Sequence, residues 1–133
     1  MRAVVDTNVL ISALFWGGTP RRVVDLAATG RFRAVTSPEL LGELETVLAE
    51  DFGLPQEKVE LVLRDILSYA EVITPVAAPE VPVRDLSDAK VLACAVAAGA
   101  DCIVTGDQDL LSLGSAGDIS IITPRAFLDL HPW

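Results

Sequence analysis

Histidine is almost absent from this chain: its single copy, His131, stands close to the end of the 133 residues. That argues against a Ser-His-Asp or Cys-His triad and against a His-rich zinc site. Only two cysteines occur, Cys94 and Cys102, and their spacing matches no metal-ligand pattern. They read as buried free thiols of a protein in a reducing cytoplasm. No GxxxxGK[ST] or GxGxxG segment is present, so the usual glycine-rich phosphate cradles are excluded. No apolar run approaches the ~20 residues of a membrane helix. Asp6 and Asn8 interrupt the first apolar stretch, so no signal peptide is expected. Basic residues are also scarce, 10 against 19 acids, for a net charge of −9. Domains that bind nucleic acid are usually basic. Arg21, Arg22, Arg31 and Arg33 lie close in sequence and offer a phosphate-facing patch. A solvated helix face and loop explains them at least as well. Without histidine or a reactive thiol, general-base work falls to carboxylates or to a cation-activated water.

Hydrophobic residues make up 51% of the chain, enough for a real core and against disorder. One domain, residues 1–133, is expected. Residues 3–5 read as a strand and 8–15 as a helix ended by Gly17 and Gly18. Thr19 is expected to cap a second helix, with Pro20 at its first position, where a missing N–H costs nothing. Residues 33–36 read as a strand. Ser37 and Pro38 repeat the cap-and-proline signal and open a helix to about Glu50; Pro55 opens another to about Tyr69. Residues 71–74 form a strand. The longest loop, 75–86, carries Pro75, Pro79 and Pro82. Ser87 is expected to cap a helix running to Gly99. Residues 102–105 and 119–122 are strands, and Pro124 opens a last helix. This alternation predicts an α/β fold, a parallel sheet covered by helices on both faces.

Four acids fall where such a fold gathers its ligands. Asp6 ends the apolar run in RAVVDTNVL, and Glu43 lies in SPELLGELETVL. Asp88 opens SDAKVLACAVAAG, and Asp107 follows the strand in DCIVTGDQDLL. Sites of open α/β sheets form at the carboxyl ends of strands. Two carboxylates about 5 Å apart repel by roughly 3 kcal/mol at an effective dielectric near 20. A cluster of four therefore calls for protonation or a cation. Hard oxygen ligands suit Mg²⁺ or Mn²⁺. The default chemistry is metal-assisted phosphodiester hydrolysis.

Each acid has a plainer reading. Asp6 is placed to be an N-cap, but Thr7 and Asn8 are available for that role. Leu40, Leu44, Val47 and Leu48 form an apolar stripe with Glu43 on its edge, whereas Glu39 and Glu45 point further out. An arginine partner and a metal stand about even for Glu43, because Glu50 lies one heptad on and nearly as close to that edge. The helix dipole alone accounts for Asp88. Spacing does not separate Asp107 from Asp109, although Asp107 is nearer the strand end. Asp85, before Ser87, is a further candidate.

These segments together resemble the PIN-domain family, and most of all its prokaryotic VapC-type toxins. The resemblance rests on VVDTNVLISAL (4–14), WGGTPRRVVDLA (16–27), SPELLGELETVL (37–48), RDLSDAKVLACAVAAGADCIVTGDQDLL (84–111) and TPRAFL (123–128). It implies a three-layer α/β/α sandwich around a parallel sheet. It carries metal-site roles to Asp6, Glu43, Asp88 and Asp107, with Asp109 assisting, and supporting roles to Asn8 and Thr105. It implies Mg²⁺ or Mn²⁺, hydrolysis of RNA by a metal-activated water, and an antitoxin partner. Ala89, between Asp88 and Lys90, departs from the consecutive acids common in related sequences, and Cys102 stands where an aromatic residue is common. A homodimer is implied too, and Val59, Leu63, Ile66 and Leu67 could line one helix face for it. Two rivals remain: a haloacid-dehalogenase-like phosphatase using Asp6 as nucleophile, and a PIN-like module that binds without cutting. The phosphatase would want a second Asp where Asn8 stands.

Overall fold

The computed structural model describes residues 1–75 and 86–133. The loop prolines Pro79 and Pro82 and Asp85 lie outside the described residues, whereas Ser87, the expected cap, falls within the first turn of α5 (Leu86–Ala98). In chain order the elements are β1 (Arg2–Val5), α1 (Thr7–Phe15), α2 (Gly18–Ala28), β2 (Arg33–Thr36), α3 (Pro38–Thr46), α4 (Gln56–Leu67) and β3 (Ala70–Val72). There follow α5 (Leu86–Ala98), β4 (Cys102–Val104), α6 (Gln108–Leu113), β5 (Ser115–Ala116), β6 (Ile119–Ile122) and α7 (Pro124–Leu128). The six strands lie in the order β3-β2-β1-β4-β6-β5. Every pairing is parallel except that of β5 with β6.

The central strands are mostly apolar because both faces of the sheet are covered. Successive side chains alternate between the faces. Val4, Val35, Ile103 and Ile121 pack with Leu40 of α3, Val91 and Leu92 of α5, and Leu110 of α6. Ala3, Val5, Ala34 and Val104 pack with Val9 of α1, Val23 of α2, and Phe127 of α7. These are the outer layers of the α/β/α sandwich. A third cluster, Leu44, Leu48, Val59 and Ile66, joins α3 to α4. The two cysteines are free and buried in the opposite cores. Burial raises the Cys94 thiol to about 11 and the Cys102 thiol to about 12.

Strand order reverses at β1, which has β2 on one side and β4 on the other. Beyond the paired carboxyl ends of β1 and β4 the chain turns to opposite faces, into α1 on one side and α6 on the other, the usual ligand position in open α/β sheets. Asp6 immediately follows β1, and Thr105 immediately follows β4.

Several local expectations are corrected. Gly17, not Thr19, holds the N-cap of α2, and its φ of 72° reverses the chain after α1. Thr19 already lies inside the first turn. The helix opened by Ser37 does run to Asp51, but its end widens into a π-helical turn, Val47–Asp51. There the Phe52 N–H reaches five residues back to the Val47 carbonyl at 3.2 Å. β3 sits one residue earlier than expected and is shorter. The two-residue β5 has no period to read and adds an antiparallel edge. On α4, Val59 and Ile66 are core, and Leu61 and Leu67 are the exposed apolar residues.

Ser37 is buried, and its hydroxyl accepts the Leu40 N–H at 3.2 Å. Ser37→Ala should therefore lower the unfolding free energy by about 1 kcal/mol. Thr19→Ala should stay within about 0.5 kcal/mol of wild type. Urea titrations of the two variants check this, and equal losses would contradict the placement of the caps.

Candidate active site

A chain of hydrogen bonds ties the ends of β1 and β4 together. Asp6 is buried after β1, in the N-cap position of α1, with no side-chain capping bond. Its Oδ2 instead accepts the Thr105 hydroxyl at 2.7 Å. Thr105 is fully buried, and its Oγ1 also accepts the Asp107 N–H at 3.0 Å. Asp107 caps α6, its Oδ1 accepting the Asp109 N–H at 2.8 Å. The turn Thr105-Gly106-Asp107 is thus held in one shape, and that shape aims Asp107 and Asp109 toward α5.

There they meet Asp88, buried in the first turn of α5. One carboxylate oxygen from each of Asp88, Asp107 and Asp109 lies within 4.8 Å of the others. Among the described residues this is the one group of such spacing. Asp107 is both cap and member of the triad, so the two roles are not divided between Asp107 and Asp109. Asp6 stands beside the triad. Burial raises its proton affinity above the ordinary carboxylate value of 3.8. The Thr105 hydroxyl and the Thr7 N–H oppose that shift, and the charges of Glu43 and Asp107 add to it. Asp6 therefore feels acids on both α3 and the β4–α6 turn.

Glu43 reaches inward from α3. Its Oε2 is buried and has no hydrogen-bond partner. The cation beside it is Lys90 of α5, with Nζ 3.8 Å away. That distance is too long for a hydrogen bond. A buried carboxylate oxygen so poorly matched is expensive. The triad, made of carboxylate oxygens alone, is a donor set that suits a hard divalent cation. Lys90 escaped the sequence reading, since its pairing with Glu43 depends on how α3 packs against α5.

The remaining candidates are placed differently. Asn8 is exposed in the first turn of α1. The arginines do not gather into one patch. Arg21 pairs with Asp25 at 3.0 Å on exposed α2. Arg22 flanks a hollow with Asp25, Leu26, Leu128 and Trp133. Arg31 donates to the Trp133 carbonyl. Arg33 starts β2, where its N–H bonds to the Met1 carbonyl. It therefore lies at the end of the sheet opposite the acids.

A family model described as PIN domain matches residues 2–109. No curated protein matches the chain. Among solved structures the chain is similar to VapBC2 from Rickettsia felis bound to a DNA fragment from its promoter, at TM-score 0.67 and 17% identity, covering 91% of this chain and 97% of that one. It is similar to VapBC-1 from nontypeable Haemophilus influenzae, at TM-score 0.66 and 17% identity, covering 94% and 99%. It is also similar to Mycobacterium tuberculosis VapC20, a sarcin-ricin loop cleaving toxin, at TM-score 0.61 and 20% identity, covering 89% and 98%. At such identities the likeness to the solved structures is one of fold.

The crowded acids set a sign for stability. A carboxyl whose folded proton affinity is raised contributes stability below its ordinary value, and that stability is lost as pH rises through the folded value. Without divalent metal, Asp6→Asn should therefore melt a few degrees above wild type at pH 7, and the gain should vanish near pH 3. A cation that binds only the folded cluster should raise the wild-type unfolding free energy by about 2.7 kcal/mol at a hundredfold excess over its Kd. Thermal melts in EDTA and in millimolar Mn²⁺ measure both effects. Coincident wild-type midpoints would count against a cation site.

Proposed function

Because this chain belongs to the PIN domain family, we propose that it is a metal-dependent endoribonuclease and the toxin of a toxin–antitoxin pair. The observation that carries the reading is the carboxylate triad of Asp88, Asp107 and Asp109 beside buried Asp6 and the unpartnered Glu43 oxygen. Asp6, Glu43, Asp88 and Asp107 are the proposed catalytic acids, with Asp109 completing the set that would hold Mg²⁺ or Mn²⁺. Such a cation, when bound, supplies charge neutralisation at the scissile phosphate and a water acidic enough to attack near neutral pH.

The chain's own groups divide the remaining work. Thr105 fixes Asp6 through Oδ2, so the carboxylate cannot swing away from the crevice. In the cation-free fold, burial and the charges of Glu43 and Asp107 raise its proton affinity, a repulsion that a bound cation would relieve. The Asp107 cap holds the β4–α6 turn so that its acids stay beside Asp88, where a cation would be held. Histidine is no competitor as base, since His131 packs its ring against Trp133 at the end of the chain.

The wider reading includes an antitoxin partner, a homodimer, a cytoplasmic location and action as one domain over residues 1–133. The similarity to chains of VapBC structures supports the antitoxin, and the net charge of −9 favours a basic partner. Exposed Leu61 and Leu67 support self-association. Light scattering that finds only monomer at micromolar concentration would remove the dimer. Among the described residues, no helix is long and apolar enough to cross a membrane.

Asp6→Asn should abolish Mn²⁺-dependent RNA cleavage, by about 100-fold or more, without loss of fold. Asp88→Asn should act the same way, whereas Lys58→Ala on the exposed side of α4 should be neutral. Single-turnover cleavage of a labelled RNA, with circular dichroism as the control for folding, decides it. Wild-type rates for Asp6→Asn in a preparation free of contaminating ribonuclease would end the proposal.

A further inference from the structure

Lys90 follows Asp88 by two residues on α5, a spacing that turns two helical side chains away from each other. Asp88 meets Asp107 and Asp109, and Lys90 meets α3 instead. Its Nζ stands 3.8 Å from the Oε2 of Glu43, and its side chain is 36% exposed. That separation is too long for a hydrogen bond, so the three donors of the ammonium are not spent on Glu43. The Glu43 oxygen is buried and takes no hydrogen bond from any other group. Charge alone therefore keeps Lys90 at the edge of the acids, and its exposed end is free to turn toward an incoming anion.

The site needs such a group. Asp6, Glu43, Asp88, Asp107 and Asp109 carry more negative charge than one divalent cation offsets. A phosphodiester approaching them is repelled unless a further positive charge faces it. Among the described residues, Lys90 is the cation that forms an ion pair with one of these acids. Arg2 and Arg33 pair with Glu71, and Arg21 pairs with Asp25. A lysine ammonium is a compact point charge with rotatable donors, and it binds phosphate in that form.

We propose that Lys90 is a further catalytic residue: it leaves Glu43 to contact a non-bridging oxygen of the scissile phosphodiester. The inference rests on the ribonuclease reading and deepens it by naming the group that receives the phosphate. No bond to Lys90 forms or breaks, and no proton leaves it. Its charge offsets the negative charge that gathers on the phosphoryl oxygens during attack. Glu43 holds the ammonium in place until the substrate arrives.

Lys90→Gln removes the charge but keeps a donor for Glu43, and Lys90→Arg keeps the charge. Both should fold as wild type by circular dichroism and bind Mn²⁺ within about threefold of wild type by titration calorimetry. With saturating RNA and Mn²⁺, Lys90→Gln should lower the single-turnover rate by about 100-fold, and Lys90→Arg by less than about tenfold. Anisotropy of a labelled single-stranded RNA, in Mn²⁺ and in the cleavage-silent Asp6→Asn background, reads the contact directly. The slope of log affinity against log salt should become shallower by about 0.7 with Lys90→Gln, the value of one phosphate contact on a single strand. Lys90→Arg should leave the slope unchanged. A wild-type rate or an unchanged slope for Lys90→Gln would overturn the proposal while the ribonuclease reading stands. So would a loss of Mn²⁺ binding in step with the rate, since Lys90 would then be holding the acids rather than the phosphate. If wild type binds RNA without cutting it and Lys90→Gln still flattens the slope, the ribonuclease reading falls and the phosphate contact stands. With neither binding nor cleavage, both fall.

Discussion

The hydrogen bond from Thr105 to Asp6 joins the two strands on which the site depends. Both residues are buried, and each stands at the first position beyond its strand. The sheet brings the two strand ends together through the β1–β4 pairing, in which Val5 lies opposite Val104. An unpaired hydroxyl or carboxylate at that depth would be costly, so each needs the other. The same hydroxyl oxygen accepts the Asp107 N–H, so one side chain fixes the β1 acid and shapes the turn that carries two more. Loss of Thr105 would disturb Asp6, Asp107 and Asp109 together.

Around that bond the protein concentrates negative charge and supplies little cationic relief. Lys90 is the close cation for Glu43, and it stands 3.8 Å away and partly exposed. Among the described residues, Arg21 is paired with Asp25 and Arg33 lies at the far end of the sheet. An acidic chain can still act on RNA if affinity comes from a cation at the acids and from contacts to bases rather than from a basic surface.

Much of this was legible in the chain. Apolar runs of strand length between amphipathic stretches indicated the α/β class, the Ser37-Pro38 pair located the start of α3, and Pro124 that of α7. Asp6 and Asp107 stood out because each follows an apolar strand, where sheet geometry places ligands. The segments VDTNVLIS and VTGDQDLL, taken together, pointed to the family. Short elements failed to register: β5 has two residues and no period to read. The N-cap of α2 was misplaced because a glycine of positive φ competes with threonine for that position, and its conformation is invisible in the letters.

Sequence by itself therefore determined the α/β layering and the alternation of its elements and nominated the acids, because periodicity and local backbone chemistry act over a few residues. Only the tertiary structure decided which acids meet. Asp88 and Asp109 come together through the packing of α5 against the sheet, and Asp107 serves as cap and triad member at once. The Glu43–Lys90 pairing has the same origin. Each depends on distances between elements far apart in the chain, and those are fixed by close packing of the core, to which no short stretch of sequence has access.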